Sequence, residues 1–436
     1  MASYAHPEST SLGSTLAPAP LIRAHMHIMS ISFRRQFPVE IQERIIDQLR
    51  LRDDVRSLRA CSLTCHAWHV RSRFHLLRDI RIHCPEQFKD ICSYFHTHES
   101  LRPLVQSLVI DTIRQSPPDP TSAKSSTLPA SDFVSTQLFS QLPNLHRCEL
   151  RDSILDRSYV HSATFHSSIL IYLMTHSSIE TLCLSHVRFS SPTSFVGLIS
   201  ALQMLRRLVC NGIDIGRTTE GSAQIVKFGL TSLGYKKHGT KLRSLEIRGM
   251  PPSEYSQLIL LIPGGRVEKL VMDVWPSSAP NKPSSRSLEN TRAALACVKS
   301  LELHVYHDLD TFAVFPSYAA HWRQWVLMVL DNGVSFMQAG ILQDITFVFH
   351  GSPYHLQHLL QDPVNTTLLT SLQQTILSLS PRTVAFTSAT TPVGWMSIQS
   401  SIRQAFPVLF KQELAKIVPP RPAGRVSVHR GGEETL

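Results

Sequence analysis

The chain of 436 residues predicts an α/β fold in two parts: a compact N-terminal cluster of amphipathic helices, then a long solenoid with parallel strands inside and helices outside. Three observations predict it. Apolar residues recur at helical steps between positions 38 and 68, a strand-like apolar motif returns again and again from residue 77 onward, and helical stripes occupy the stretches between those motifs.

The first helix opens at Pro38, which suits a first turn because its missing N–H has no partner there anyway. Ile41, Ile45 and Leu49 follow at four-residue steps with Ile46 beside them, one apolar stripe, while Glu40, Gln42, Glu43, Asp47 and Gln48 take the other face. After a short polar bridge, Asp53 or Asp54 can cap a second helix in which Leu58, Cys61, Cys65 and Trp68 share one face. The expectation is a compact pair or trio of helices.

Together these residues resemble an F-box. The family's pattern of Leu-Pro-x-Glu, a spaced Ile and Leu, and a hydrophobic-Cys-x-x-Trp signature corresponds here to Phe37, Pro38, Glu40, Ile45 and Leu49, then Leu58, Cys61, Ser62, Leu63, Cys65 and Trp68. Phe37 stands where the family has Leu, and the link between Leu49 and Leu58 is short and basic, with Arg50, Arg52 and Arg56. The likeness spans residues 35–83 and is closest to the large fungal families. It implies docking on the Skp-family adaptor of a cullin-RING ubiquitin ligase, through Phe37, Pro38, Ile41, Ile45, Leu49, Leu58, Leu63 and Trp68. An ordinary helical hairpin whose stripes only make core is the other reading.

Behind it, apolar residues at positions 1, 4 and 6 of a short motif recur as LLRDIRI ending at Ile82, then VQSLVI from Val105, LHRCEL from Leu145, IETLCL from Ile179, LRRLVC from Leu205, LRSLEI from Leu242, VEKLVM from Val267, VKSLEL from Val298 and LQDITF from Leu342. Starts lie 25 to 44 residues apart. Positions 4 and 6 alternate as a strand should, and stripes such as Phe165, Ile169, Tyr172 and Leu173, or Trp322, Trp325, Val326 and Val329, read as the intervening helices. Stacked, these units make a parallel sheet over residues 84–418, with Leu108, Leu182, Leu208, Leu245, Leu270 and Leu301 in one buried line. The pattern resembles a degenerate leucine-rich repeat. The family's turn Asn, three residues after position 6, is replaced throughout, for instance by Val187, Ile213 and Met250. Strands of an unrelated α/β domain are the alternative.

The Ser/Pro-rich segments 116–131 and 276–287 read as inserted loops, 1–34 as a disordered leader whose arginines also suit a transit peptide, and 419–436 as a disordered tail.

Composition narrows the function classes. Net charge is +10, but Lys and Arg are scattered instead of clustered with aromatics, so a nucleic-acid track is disfavoured. Eight cysteines without CxxC pairs read as reduced thiols; Cys61 and Cys65 with His66 and His69 do not make a metal site, because the histidines leave the cysteine face. No apolar run reaches the length of a membrane span. Nucleophile elbow, P-loop, dinucleotide-binding and HExxH patterns are absent, and His355 with His358 lacks an acidic partner at helical spacing. A non-catalytic protein without cofactor is expected, cytoplasmic or nuclear.

The resemblance implies a substrate receptor that reaches a cullin through its adaptor and holds a client protein on the solenoid. Strand alternation sends positions 3, 5 and 7 to the concave face, where the columns read Arg147, Glu149 and Arg151, then Arg207 and Asn211, Glu246 and Arg248, Lys269 and Asp273, and Glu302 and His304. That is a surface of mixed charge, either a client groove or a merely solvated sheet face. A solenoid interaction protein without ligase association, and a basic nucleic-acid-associated protein, are the rival functions.

Overall fold

In the computed structural model, the described residues are 38–51, 54–112, 136–152, 173, 178–189, 191–215, 241–250, 258, 267–274, 297–307, 341–351, 356–357, 360–361, 363–389 and 392–419. Three helices, α1 (Val39–Leu51), α2 (Val55–Thr64) and α3 (His66–Arg78), lead directly into strand β1 (Asp79–Ile82). No linker separates the helical cluster from the sheet, so the solenoid begins at Asp79, inside the segment 35–83.

Asp54 caps α2, its carboxylate accepting from Ser57 N–H at 3.0 Å. The expected single face through Cys65 and Trp68 is not formed. Cys65 adopts an extended backbone (φ −157°, ψ 164°) that ends α2 and precedes α3, leaving Cys65 exposed and moving Trp68 to a separate helix. Neither Gly nor Pro marks this break, so periodicity runs through it unaware.

The sheet has 11 parallel strands in the order β1, β2 (Ser107–Thr112), β3 (Arg147–Asp152), β4 (Thr181–Ser185), β6 (Arg207–Asn211), β8 (Ser244–Arg248), β9 (Lys269–Val274), β10 (Ser300–His307), β11 (Asp344–Gly351), β12 (Thr383–Ser388) and β13 (Ala415–Ile417). A side ribbon pairs β5 (Arg188–Phe189) with β7 (Asp214–Ile215). Each main strand is added beside its predecessor and never crosses back. Because parallel crossovers are right-handed, one-directional winding favours covering a single face. The helices α4 (Pro85–Thr97), α5 (Thr136–Gln141), α6 (Pro192–Ala201), α7 (Pro363–Leu379), α8 (Pro392–Ala405) and α9 (Pro407–Lys411) accordingly contribute Phe95, Leu138, Phe195, Ile376, Trp395 and Leu409 to one core cluster.

Register follows the apolar motif. Position 4 runs Ile80, Leu108, Cys148, Leu182, Leu208, Leu245, Leu270, Leu301 and Ile345 across consecutive strands, all buried, and position 6 forms the parallel row two residues on. The alignment continues into β12 and β13 through Val384 and Ala415. These last rungs escape the sequence pattern because their first position is Pro381 and Gln412. Phe386 of β12 stacks on Phe347 and Phe406, at 5.5 and 5.0 Å between ring centroids, which closes the core toward α9.

The missing turn Asn has a replacement. At position 8 of three successive repeats, His186, Gly212 and Gly249 take the left-handed conformation (φ 57°, 58° and 61°). The N–H groups of His186 and Gly212 each donate at 2.7 Å to the position-7 carbonyl of the next repeat, Asn211 and Arg248. Gly249 donates instead to the Asp273 side chain at 3.0 Å. Behind this ladder Val187, Ile213 and Met250 are buried, so an apolar rung fills the place the Asn would take. The stripes around Phe165 and Trp322, the loops 116–131 and 276–287, the leader 1–34 and the tail beyond Pro419 lie outside the described residues, apart from Leu173, which is buried.

Leu245 is 1% exposed in the middle of the position-4 row. Leu245→Asp would bury an unpaired carboxylate, and a destabilisation above about 4 kcal/mol is expected. Circular-dichroism melting should then show no cooperative transition. A cooperative melt at the wild-type temperature would remove Leu245 from the core.

Candidate functional site

Two surfaces stand out. On the first, α1 is turned partly inside out. Ile46 is its buried anchor, but Ile41 and Ile45, one turn apart, are 47% and 41% exposed. Polar side chains instead face α3: the indole N–H of Trp68 donates to Gln42 Oε1 at 2.6 Å, and Arg71 donates to both Asp47 oxygens at 3.0 and 2.8 Å. His75 Nε2 lies 2.6 Å from Asp47 Oδ1. The Arg71 hydrogen bonds hold the Asp47 carboxyl down at about 2. This clamp fixes how α1 lies on α3, and therefore which residues point outward.

The residues expected to bind an adaptor divide. Pro38, Ile41, Ile45 and Leu63 are exposed, Leu63 to 86%; Leu49 and Trp68 are half-buried, and Leu58 is buried. Leu58 and Trp68 thus hold the helices together instead of facing outward. Phe37 lies outside the described residues. Val55 and Val70 are exposed as well, which the helical stripes do not indicate.

The second surface is the sheet face away from the helices. Parallel sheets are usually apolar on both faces because helices cover both. Here the middle row, position 5, intersperses acids among apolar residues: Val109, Glu149, Cys183, Val209, Glu246, Val271 and Glu302. Each buried acid lies between position-3 and position-7 donors of the face. Glu149 pairs with Arg147 at 3.1 Å and with Arg151; Glu246 with Arg207 at 2.9 Å and with Arg248; Glu302 with Lys269 at 3.0 Å and His304 at 2.9 Å. Burial works to raise the Glu149 carboxyl, but its two arginines outweigh that and lower it. The His304 hydrogen bond, with Lys269 assisting, brings Glu302 to about 2.

Accessibility on this mixed-charge face is uneven. Glu149, Glu246, Asp273, Glu302 and His304 are buried, while Arg147, Arg207 and Lys269 keep about half of their side chains exposed. Asp273, at 2%, receives the end of the position-8 ladder. His304 Nδ1 meets His350 Nε2 at 2.8 Å, and His350 stacks on Tyr306 with centroids 4.2 Å apart, a contact that joins β10 to β11. Strand alternation alone locates the columns; it does not show which members are covered by their neighbours.

The described thiols of the sheet are not activated. Burial pushes the Cys183 thiol up to about 11 and the Cys148 thiol, on the core side, up to about 12, so both stay protonated near neutrality. Among the described residues no three His, Cys, Asp or Glu side chains converge as a metal site, and no helix is long and apolar enough to cross a membrane. His355 and His358 lie outside the described residues. No protein-family model matches the chain, and none of the curated proteins compared with it matches in sequence. What the chain displays is a single-wound α/β parallel-sheet protein with an outward apolar helix face and a paired-charge sheet face.

Because the folded Glu302 carboxyl is more acidic than in the unfolded chain, the unfolded state binds the extra proton as pH falls. The stabilisation is complete above about 5 and is lost as pH drops toward 2. Glu302→Gln should be less stable than wild type at pH 7, with a shallower loss between pH 5 and 2. Denaturant midpoints measured across that range check both; parallel curves would remove Glu302 from the acid response.

Proposed function

We propose that the chain is a substrate-receptor subunit of a cullin-RING ubiquitin ligase, docking the Skp-family adaptor through α1–α3 and holding a client protein on the sheet. The observation that carries this reading is the orientation of α1. A helix serving only the core would turn Ile41 and Ile45 inward; here Gln42 and Asp47 are hydrogen-bonded to α3 and the isoleucines face outward. Exposed apolar side chains held out by a polar clamp are what a partner-binding helix needs. The F-box-like residues Pro38, Glu40, Ile45, Leu49, Leu58, Cys61 and Trp68 all belong to this cluster.

As a receptor the chain makes and breaks no bond and needs no cofactor. It raises the local concentration of a bound client near the ubiquitin-conjugating machinery. Such a role suits the cytoplasm or the nucleus. Lys and Arg are scattered along the chain instead of clustered with aromatics, which supports a protein client over nucleic acid.

Ile41→Ala with Ile45→Ala is the direct test. Both side chains are substantially exposed, so stability should change by no more than about 0.5 kcal/mol each. Retention of purified Skp-family adaptor on the immobilised chain should fall at least about tenfold. Undiminished retention with an unchanged melting temperature would overturn the docking face; failure of the wild-type chain to retain adaptor would overturn the receptor reading itself.

A further inference from the structure

Position 3 forms a row across the open face whose charge pattern is more regular than the mixed columns suggest. From β3 to β10 it reads Arg147, Thr181, Arg207, Ser244, Lys269 and Ser300, a cation on every second strand and a hydroxyl on each strand between. Two strands beyond the outermost cations, Arg147 and Lys269, the sign reverses, to Asp79 on β1 and Asp344 on β11. Backbone hydrogen bonds hold the row in line: the N–H of Arg207 donates to the Glu180 carbonyl, that of Ser244 to Arg206 and that of Lys269 to Arg243, at 2.9 to 3.0 Å.

The three cations are not consumed by the acids beneath them. Arg147 and Arg207 each reach down through Nη2, while Glu149 and Glu246 are already paired with Arg151 and Arg248. Lys269 reaches Glu302 as well, and His304 meets the other oxygen of that carboxylate. Two arginines to one carboxylate leave the Glu149 and Glu246 clusters net positive, and about half of each of Arg147, Arg207 and Lys269 is open to solvent, with hydrogen-bonding hydroxyls interleaved.

Spacing selects the ligand. Strands lie about 4.8 Å apart, so successive cations stand about 10 Å apart. An extended polyproline-type peptide returns to the same side every third residue, after about 9 Å. We propose that this face binds an extended peptide segment with acidic side chains, carboxylate or phosphorylated, at three-residue intervals, laid across β3 to β9 over Arg147, Arg207 and Lys269. It names the class of client and rests on the receptor reading for its biological meaning. The reversal at Asp79 and Asp344 limits the track to about 20 Å of cationic row. That favours a short acidic segment over a nucleic-acid strand, whose charge continues past both ends.

Fluorescence polarisation with the full chain tests this. The probes are a proline-rich peptide with glutamates at every third residue, the same peptide with phosphoserines there, and an isomer with its glutamates at every second residue. A single-stranded oligonucleotide serves as competitor. At least one third-residue peptide should bind about tenfold tighter than the isomer, weaken with added salt, and lose about tenfold with Arg207→Glu but not with Arg206→Glu at the neighbouring position 2. Melting curves check each variant; if Arg207→Glu does not fold, Lys269→Gln carries the same comparison. Equal affinity for both spacings, indifference to the row substitution, or preferential displacement by the oligonucleotide would overturn the site. Adaptor retention measured on the same preparations separates the failures: adaptor bound without spacing preference removes only the peptide track, and spacing preference without adaptor removes only the ligase role.

Discussion

The winding direction of the sheet is the constraint on which the rest depends. Each parallel strand is added to the same growing edge, a winding that favours one covered face, and the core forms where the described helices meet the sheet. Alignment of positions 4 and 6 is the energetic expression of that topology. Leu208, Leu245, Leu270 and Leu301 stack in register, each nearly inaccessible, and helices from α4 to α9 press on the same rows. Side chains of this kind contribute about 1.5–3 kcal/mol each on burial, against the entropy of ordering every rung.

One-sided covering creates the chemistry of the other face. A strand such as Arg147–Asp152 has Cys148 facing the core, and Arg147, Glu149 and Arg151 facing away. Acids in the middle row are shielded by their own neighbours, so they require partners, and the arrangement of cations on both sides supplies them without closing the outer cations to solvent. Structural ion pairing and a residual outward charge thus coexist on the same side chains. The His304, His350 and Tyr306 contact extends this polar face from β10 to β11, beyond β9 where Asp273 ends the turn ladder.

The N-terminal helices solve a different problem. Arg50 reaches Asp79 at 3.0 Å and Arg73 bonds the hydroxyl of Tyr94, so the cluster is tied to the first rung of the sheet and to α4. Ile46, Leu58 and Cys61 provide the small shared core, leaving Ile41, Ile45 and Leu63 free for another surface. Direct contacts thus join the outward apolar face of α1 to the paired-charge sheet.

By itself the sequence determined the apolar rows and hence the parallel stack, because residues at positions 4 and 6 report strand alternation directly, and it narrowed the second helix's cap to Asp53 or Asp54, of which the fold uses Asp54. It determined the identity of the charged columns too. Only the tertiary structure decided which face of α1 points inward, since Ile41, Ile45 and Ile46 look alike in a periodicity while the clamp of Gln42 and Asp47 on Trp68, Arg71 and His75 forms only when α3 folds back. Tertiary structure also set the break at Cys65, the last rungs behind Pro381 and Gln412, and the division of the open face into buried acids and exposed cations. Those outcomes depend on contacts between residues tens of positions apart, and local pattern carries no record of them.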